Sequence, residues 1–383
     1  MGNKKRIFFE NLDGLRFFSF LVVFLFHANK TIFSNVSTGS FYAVTTRLFH
    51  NGGLGVNFFF VLSGFLISYL LIEEKKLRGT IQIGNFYVRR ILRIWPLFYA
   101  CVLIGFFIFP YLKQMMGQSP QESARIGYYL LLVNNFDFMR TWPSVPDALI
   151  LSVLWSVAVE EQFYLSWPVL MKYCSIKRMP LLMLAIIVLS LVFRSFYLEH
   201  TDGDYAVRYF HTLSVIGDMA LGGLLAYYSA QSEKFLNKVR QMSPVFIAVL
   251  YVLAIAFFLY KSEIFGSNKL LLLSERMIIG LVFGCIILEQ NYAERSFFKM
   301  KNLTRISKLG NYTYGLYCLH FGAIVIVNAV FQKLPIDRTN VVISLTEFAT
   351  ALLLSIGVSW LSYHLYEHRF LKLKDKFAFI TKG

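Results

Sequence analysis

The first chemistry in the sequence is an arginine and a histidine set eleven residues apart in an otherwise apolar run. The segment opens Leu12-Asp13-Gly14-Leu15-Arg16 and reaches His27 through a stretch whose only polar member is Ser19. Eleven helical steps of about 100° return to within roughly 20° of the start, so Arg16 and His27 share one face about 16 Å apart. Asp13, one turn before Arg16, is placed to pair with it. An imidazole is the side chain best suited to general-base work near neutral pH. The plain alternative is a packed core histidine and an arginine reaching to an interface. The shared face favours a common polar stripe.

A second constellation is Trp155-Ser156-Val157-Ala158-Val159-Glu160-Glu161-Gln162-Phe163-Tyr164. Adjacent helical residues point about 100° apart, so only one of the two carboxylates is expected to face His27. Glu160 is the expected partner, because a carboxylate beside an imidazole fixes its tautomer and raises its basicity. Trp155, Ser156, Glu161 and Tyr164 are expected in the wall of the same cavity, with Arg16 and Asp13. A third group is Arg89, Arg90 and Arg93, where Arg89 and Arg93 lie one helical turn apart. Clustered guanidinium groups suit bidentate phosphate binding, although a basic loop also serves as a membrane anchor. Asp218, among small residues, and His320 are further candidates for the cavity wall. Gly52, Gly53 and Gly55 form no dinucleotide fingerprint. The four cysteines have no CxxC spacing, so no metal site is expected.

The elements that must carry these groups are set by composition. Of 383 residues, 56% are hydrophobic and only 16% charged, against about 25% charged in water-soluble chains. Apolar runs of spanning length are expected at Leu12–Phe33, Gly53–Ile72, Ile94–Leu112, Ala148–Met171 and Pro180–Leu198. They continue at Tyr209–Tyr228, Pro244–Tyr260, Leu270–Leu288, Tyr312–Phe331 and Val341–Tyr366. Ile126–Val133 is too short to cross and is expected to be re-entrant or interfacial. With the N-terminus in the cytoplasm, the inner segments hold 25 of the 38 Lys and Arg residues and the outer ones ten. That asymmetry is the positive-inside bias, and it places both termini in the cytoplasm. It also argues against reading the net charge of +16 as a nucleic-acid surface. The first apolar run follows Lys4-Lys5-Arg6 but contains Arg16 and His27 and lacks a small-x-small cleavage site, so a retained helix is expected rather than a secretion signal. The fold expected is all-α, a polytopic transmembrane bundle of about ten helices in one domain over residues 1–383. Its spans run from about residue 12 to residue 366, with a basic tail after them.

At these residues the chain resembles the acyltransferase-3 family of bacterial membrane O-acyltransferases. Asn11-Leu12-Asp13-Gly14-Leu15-Arg16 with His27 is similar to the family's opening Arg-x10-His motif. Phe59-Phe60-Val61-Leu62-Ser63-Gly64-Phe65-Leu66-Ile67 resembles its second-span signature. Arg89-Arg90-Ile91-Leu92-Arg93-Ile94-Trp95-Pro96 resembles its Arg-Arg-x-x-Arg-x-x-Pro pattern. Trp155-Ser156 with Glu160 is similar to its Trp-Ser-Leu-x-x-Glu box, Val157 replacing Leu. Leu309 to His320 resembles a later Ser-Tyr-x-x-Tyr-Leu-x-His box, with Thr313 for Ser and Cys318 for Leu. Glu367-His368-Arg369 lacks the proline of the family's terminal Glu-x-Pro.

The resemblance implies an acyl-CoA donor, acetyl-CoA first among them, taken from the cytoplasm. It implies delivery to a hydroxyl of a carbohydrate, glycolipid or small glycoside at the outer face of a bacterial plasma membrane. Onward transfer would fall to a separate extracytoplasmic protein. On that reading Arg89, Arg90 and Arg93, with Ser63, hold the donor, and His27, Glu160 and Arg16 carry the chemistry. A covalent acyl-enzyme on His27 or Ser63 stays open. The rival class is a transporter or flippase for a lipid-linked saccharide, which predicts inverted repeats and Gly/Pro-broken helices in matching halves; the sequence shows neither.

Overall fold

The structure, a computed structural model, describes residues 9–36, 40–266 and 268–377. Hydrocarbon offers the backbone no hydrogen-bond partner, so a chain this apolar satisfies its peptide groups within helices. Among the described residues ten helices are long and apolar enough to cross a membrane. They are α1 (Leu12–Thr31), α2 (Gly53–Arg78), α3 (Ile83–Leu103), α4 (Leu154–Tyr173) and α5 (Met179–Ser195), then α6 (Thr212–Gln231), α7 (Pro244–Phe265), α8 (Lys269–Tyr292), α9 (Thr313–Gln332) and α10 (Val341–Leu361). Among the described residues there is no strand. The stretch expected to be too short to cross holds only the helix Ile126–Leu130.

Two boundaries differ from expectation in a way that matters for function. α3 begins at Ile83 rather than Ile94, so Arg89, Arg90 and Arg93 stand on its first turns and not in a loop. Arginine is a good helix former, and nothing in that stretch breaks a helix until Pro96. At the other end α10 does not give way to an irregular tail. It passes through a π turn at Ser362–Glu367 into a further helix, α11 (His368–Lys374). Buried Glu367 holds that turn, accepting a hydrogen bond from Ser362 Oγ at 2.8 Å. The continuous helical run of 34 residues is roughly 50 Å long. It outreaches a hydrocarbon core of about 30 Å, and α11 emerges beyond it.

α2 is the centre of the bundle and α6 is its closest neighbour. Glycines permit the approach: a Cβ on Gly64 would sit 2.0 Å from the Met219 carbonyl oxygen, and one on Gly222 would sit 2.0 Å from that of Val61. Small residues at a crossing let two backbones touch, which is how helices gain contact where lipid removes the hydrophobic drive. α5 and α7 bury little of their surface, as expected of helices at the rim facing lipid. α8, like α1 and α4, also packs on α2, and α1, α2, α3, α4 and α9 together enclose the space described next.

Candidate active site

A cavity of about 470 Å³ lies where the start of α1, most of the length of α2, the start of α3, the first half of α4 and the start of α9 meet. α11 closes its mouth. Each helix contributes one polar face. From α1 come Asp13 and Arg16, joined at 2.5 Å between Oδ1 and Nη1. From α4 come Ser156, Glu160 and Tyr164, spaced four apart and so stacked along one stripe. Ser63 and Glu74 come from α2, and the three arginines from α3.

The arginines are not equivalent. Arg89 donates from Nη1 to the Phe377 carbonyl at 2.7 Å and has the Glu74 carboxylate at 3.9 Å. Arg90 lies over the Tyr164 ring, 4.7 Å from its centroid, and over Phe86 at 5.5 Å. Among the described residues neither Arg90 nor Arg93 has a hydrogen-bond or carboxylate partner. A guanidinium carries five N–H donors. Two half-buried guanidiniums beside a cavity, with carboxylates nearby but none hydrogen-bonded to them among the described residues, keep N–H donors that suit an anion.

At the inner end of the cavity Glu160 accepts from Ser63 Oγ at 2.8 Å through Oε1 and from the Tyr164 hydroxyl at 3.3 Å through Oε2. Glu161 turns away, accepting from Trp95 Nε1 at 2.9 Å, as the 100° step between neighbours requires. The expected pair of Glu160 with His27 is not formed. Among the described residues the hydrogen-bond partner of His27 is His320, with Nδ1 and Nε2 2.8 Å apart and the two rings stacked.

The remaining contacts of His320 assign the tautomers. Its Nδ1 lies 2.8 Å from the Tyr317 carbonyl and 3.1 Å from that of Leu316. Carbonyls only accept, so Nδ1 of His320 carries a proton and Nε2 of the neutral ring accepts. His27 must then donate from Nδ1, which leaves Nε2 of His27 with its lone pair. His320 is fully buried and His27 half-buried. The bond therefore engages His27 Nδ1 and leaves Nε2 on the far side of the ring.

Neither imidazole lines the cavity. The cavity stops at Val56, Phe59 and Tyr317, where the Phe59 and Tyr317 rings meet edge to face at 5.7 Å and Tyr317 OH lies 2.6 Å from Ser156 Oγ. His320 sits behind this closure, one turn along α9 from Tyr317. Three further residues expected in the wall also lie elsewhere. Trp155 packs among Phe60, Tyr209 and Phe210, Glu161 faces Trp95, and Asp218 is fully buried between Arg276 and Asn57. Asp218 has charged and amide partners of its own, which is why small neighbours and a carboxylate here mean packing. Sequence reading did not single out Tyr317, Phe59, Lys372 or Lys374, all of which line the cavity. Tyr317 stood within the motif that ends at His320. The two lysines carried no signal distinguishing them from an ordinary basic tail. Among the described residues no group of three or more His, Cys, Asp or Glu could hold a metal ion.

Residues 9–364 match the family model described as an acyltransferase domain, and the chain belongs to this family of membrane acyltransferases. It is similar to the O-acetyltransferase OatA of Staphylococcus aureus, 26% identical over 98% of this chain and 59% of the relative. It is also similar to the peptidoglycan O-acetyltransferase OatA of Listeria monocytogenes, 24% identical over 99% of this chain and 60% of the relative. The chain thus spans about three fifths of the length of these relatives. No solved structure matches it.

Proposed function

We propose that this protein transfers an acetyl or other short acyl group from acyl-CoA to a hydroxyl of a cell-wall glycan or related cell-surface carbohydrate. The observation that carries the reading is one cavity with unpartnered Arg90 and Arg93 at its mouth and an inner end one helical turn from the His27–His320 pair. The three phosphates of CoA suit the arginine cluster, and the pantetheine arm suits the stretch past Glu160 and Ser63. With the arginines on the cytoplasmic side, as the charge asymmetry favours, donor and acceptor approach from opposite faces. The acceptor class follows that of the Listeria relative, a peptidoglycan O-acetyltransferase.

In the direct route, His27 Nε2 takes the proton of the acceptor hydroxyl as its oxygen attacks the thioester carbonyl. The C–S bond breaks and the CoA thiolate leaves, to be protonated in turn. His320 holds His27 in the tautomer that makes this possible. Arg16, fixed by Asp13 and about 16 Å from His27 along α1, adds positive potential beside Arg93 at the donor end of the cavity. A second route is favoured by the 2.8 Å contact between Ser63 Oγ and Glu160. There Ser63 gives its proton to Glu160 and attacks the thioester; the C–S bond breaks, the CoA thiolate takes the proton from Glu160, and the acyl-serine then passes its group to the acceptor hydroxyl, whose proton returns to Ser63 Oγ through Glu160.

Purified protein given labelled acetyl-CoA and soluble glycan acceptors tests the reading. Release of free CoA thiol together with labelled ester on the glycan is expected, with both lost in His27→Ala. Wild-type protein that binds no CoA and releases none with any glycan acceptor would overturn it.

A further inference from the structure

The mouth of the cavity is built from two walls, and only one of them is accounted for by α3. Opposite the arginines stands α11, which packs along α3 and turns His368, Lys372 and Lys374 toward the same space. Its placement is specific. Tyr366 OH donates to the Pro96 carbonyl at 3.1 Å, and Arg89 Nη1 donates to the Phe377 carbonyl at 2.7 Å. Buried Glu367 fixes the bend from which α11 departs. A basic tail that only anchored the chain to lipid headgroups would not need these ties to α3.

The charge of the lining supports the same conclusion. Arg16, Arg89, Arg90, Arg93, Lys372 and Lys374 face Asp13, Glu74 and Glu160 around one space, so the cations outnumber the carboxylates two to one. Like charges gathered around a cavity repel one another and raise its energy when empty. A polyanion relieves that cost, and the arrangement concentrates such a ligand from solution.

We propose that α11 is the second wall of the donor site, with Lys372 and Lys374 binding the phosphate-bearing nucleotide end of the donor across from Arg90 and Arg93. The inference rests on the acyl-CoA reading given above and adds a binding element to it. The Phe377 carbonyl is then a stand-in acceptor on Arg89. A donor phosphate, being charged, makes the stronger hydrogen bond to that guanidinium.

The test uses the full chain in detergent, with CoA and dephospho-CoA as probes and binding read by calorimetry. Wild type, Lys372→Ala with Lys374→Ala, Lys372→Arg with Lys374→Arg, and Arg93→Ala are compared, each checked for an unchanged thermal transition. The double alanine variant is expected to bind CoA roughly tenfold more weakly, since exposed charge pairs contribute modestly and two are removed. The double arginine variant is expected to stay near wild type. CoA affinity of the double alanine variant within about twofold of wild type, while Arg93→Ala loses it, would overturn this inference and leave the donor reading intact. Wild type that binds neither probe would overturn the donor reading and this inference together.

Discussion

His27 Nδ1 lies 2.8 Å from His320 Nε2, and the opposite nitrogen of His320 is held by two backbone carbonyls of its own helix. The bond runs in one direction only, so the buried imidazole decides which nitrogen of the half-buried one is basic. On the proposed mechanism His320 is a positioning residue. His320→Gln can place an amide oxygen near the lost Nε2 and still accept from His27, whereas His320→Leu cannot. We expect His320→Leu to lower kcat by roughly 10²–10⁴-fold, the range of general-base contributions, with KM for the donor little changed and His320→Gln partly restoring the rate. Equal losses in both variants would assign His320 to packing instead.

Ser63 and Glu160 separate the two routes. If the acyl group passes through Ser63, labelled acyl-CoA given without acceptor leaves label on the wild-type chain and none on Ser63→Ala. If transfer is direct, no label accumulates and Ser63→Ala keeps most of its rate. Glu160→Gln replaces a carboxylate that accepts two hydrogen bonds; it is expected to slow the Ser63 route, where Glu160 takes the proton, by about 10²-fold or more, and the direct route, where it takes none, by much less. Intact-mass measurement after brief exposure to acetyl-CoA decides between them.

Arg93→Ala is expected to raise KM for acyl-CoA by roughly tenfold to a hundredfold while leaving kcat within a few-fold, because the phosphates are far from the reacting carbonyl. Arg93→Lys should recover little, since an ammonium cannot make the bidentate contact. An unchanged KM would remove Arg93 from the donor site.

The sequence made the membrane class and the ten spans legible because length and apolarity alone define a spanning helix. It also gave the stripe on α1 and the opposed directions of Glu160 and Glu161, since both follow from 3.6 residues per turn. It did not give the partners. Asn57, Asp218 and Arg276 lie on three helices far apart in sequence, and nothing local to Asp218 shows that two donors converge on it. The substitution of His320 for Glu160 as the partner of His27 has the same cause. Depth along a helix is legible, but the rotation of one helix against another is set by side-chain packing, here by Gly64 and Gly222 drawing α6 onto α2. α11 was illegible for a different reason: a short basic helix beyond a span has the composition of any tail.

The Asp218–Arg276 pair yields a prediction that distinguishes structure from chemistry. Both residues are buried, and Asn57 Nδ2 donates to the same carboxylate oxygen at 2.7 Å. Asp218→Asn leaves a buried guanidinium without its counter-charge, a loss of about 3–5 kcal/mol in comparable sites. A lower thermal transition is expected, with specific activity per folded molecule preserved. Asp218→Asn combined with Arg276→Met should recover part of the stability. A variant that folds as wild type but is inactive would return Asp218 to the reaction.

The closure between Phe59 and Tyr317 sets the last prediction. The donor cavity ends on these rings, and the Ser156–Tyr317 contact of 2.6 Å braces Tyr317 in place. On the proposed reading an acyl group bound for His27 has to pass or displace them, and their bulk is expected to favour short chains. Phe59→Ala removes most of that bulk from the path. A butyryl group carries two methylenes more than acetyl, each contributing about 0.8 kcal/mol when buried. The ratio of kcat/KM for butyryl-CoA over acetyl-CoA is therefore expected to rise roughly tenfold in Phe59→Ala. Tyr317→Phe, which keeps the ring and loses only the brace, should shift the ratio less. Competition between the two donors in one reaction, read by mass spectrometry of the esterified acceptor, measures the ratio directly. A ratio unchanged in both variants would mean that the acyl group reaches the imidazole pair by another path.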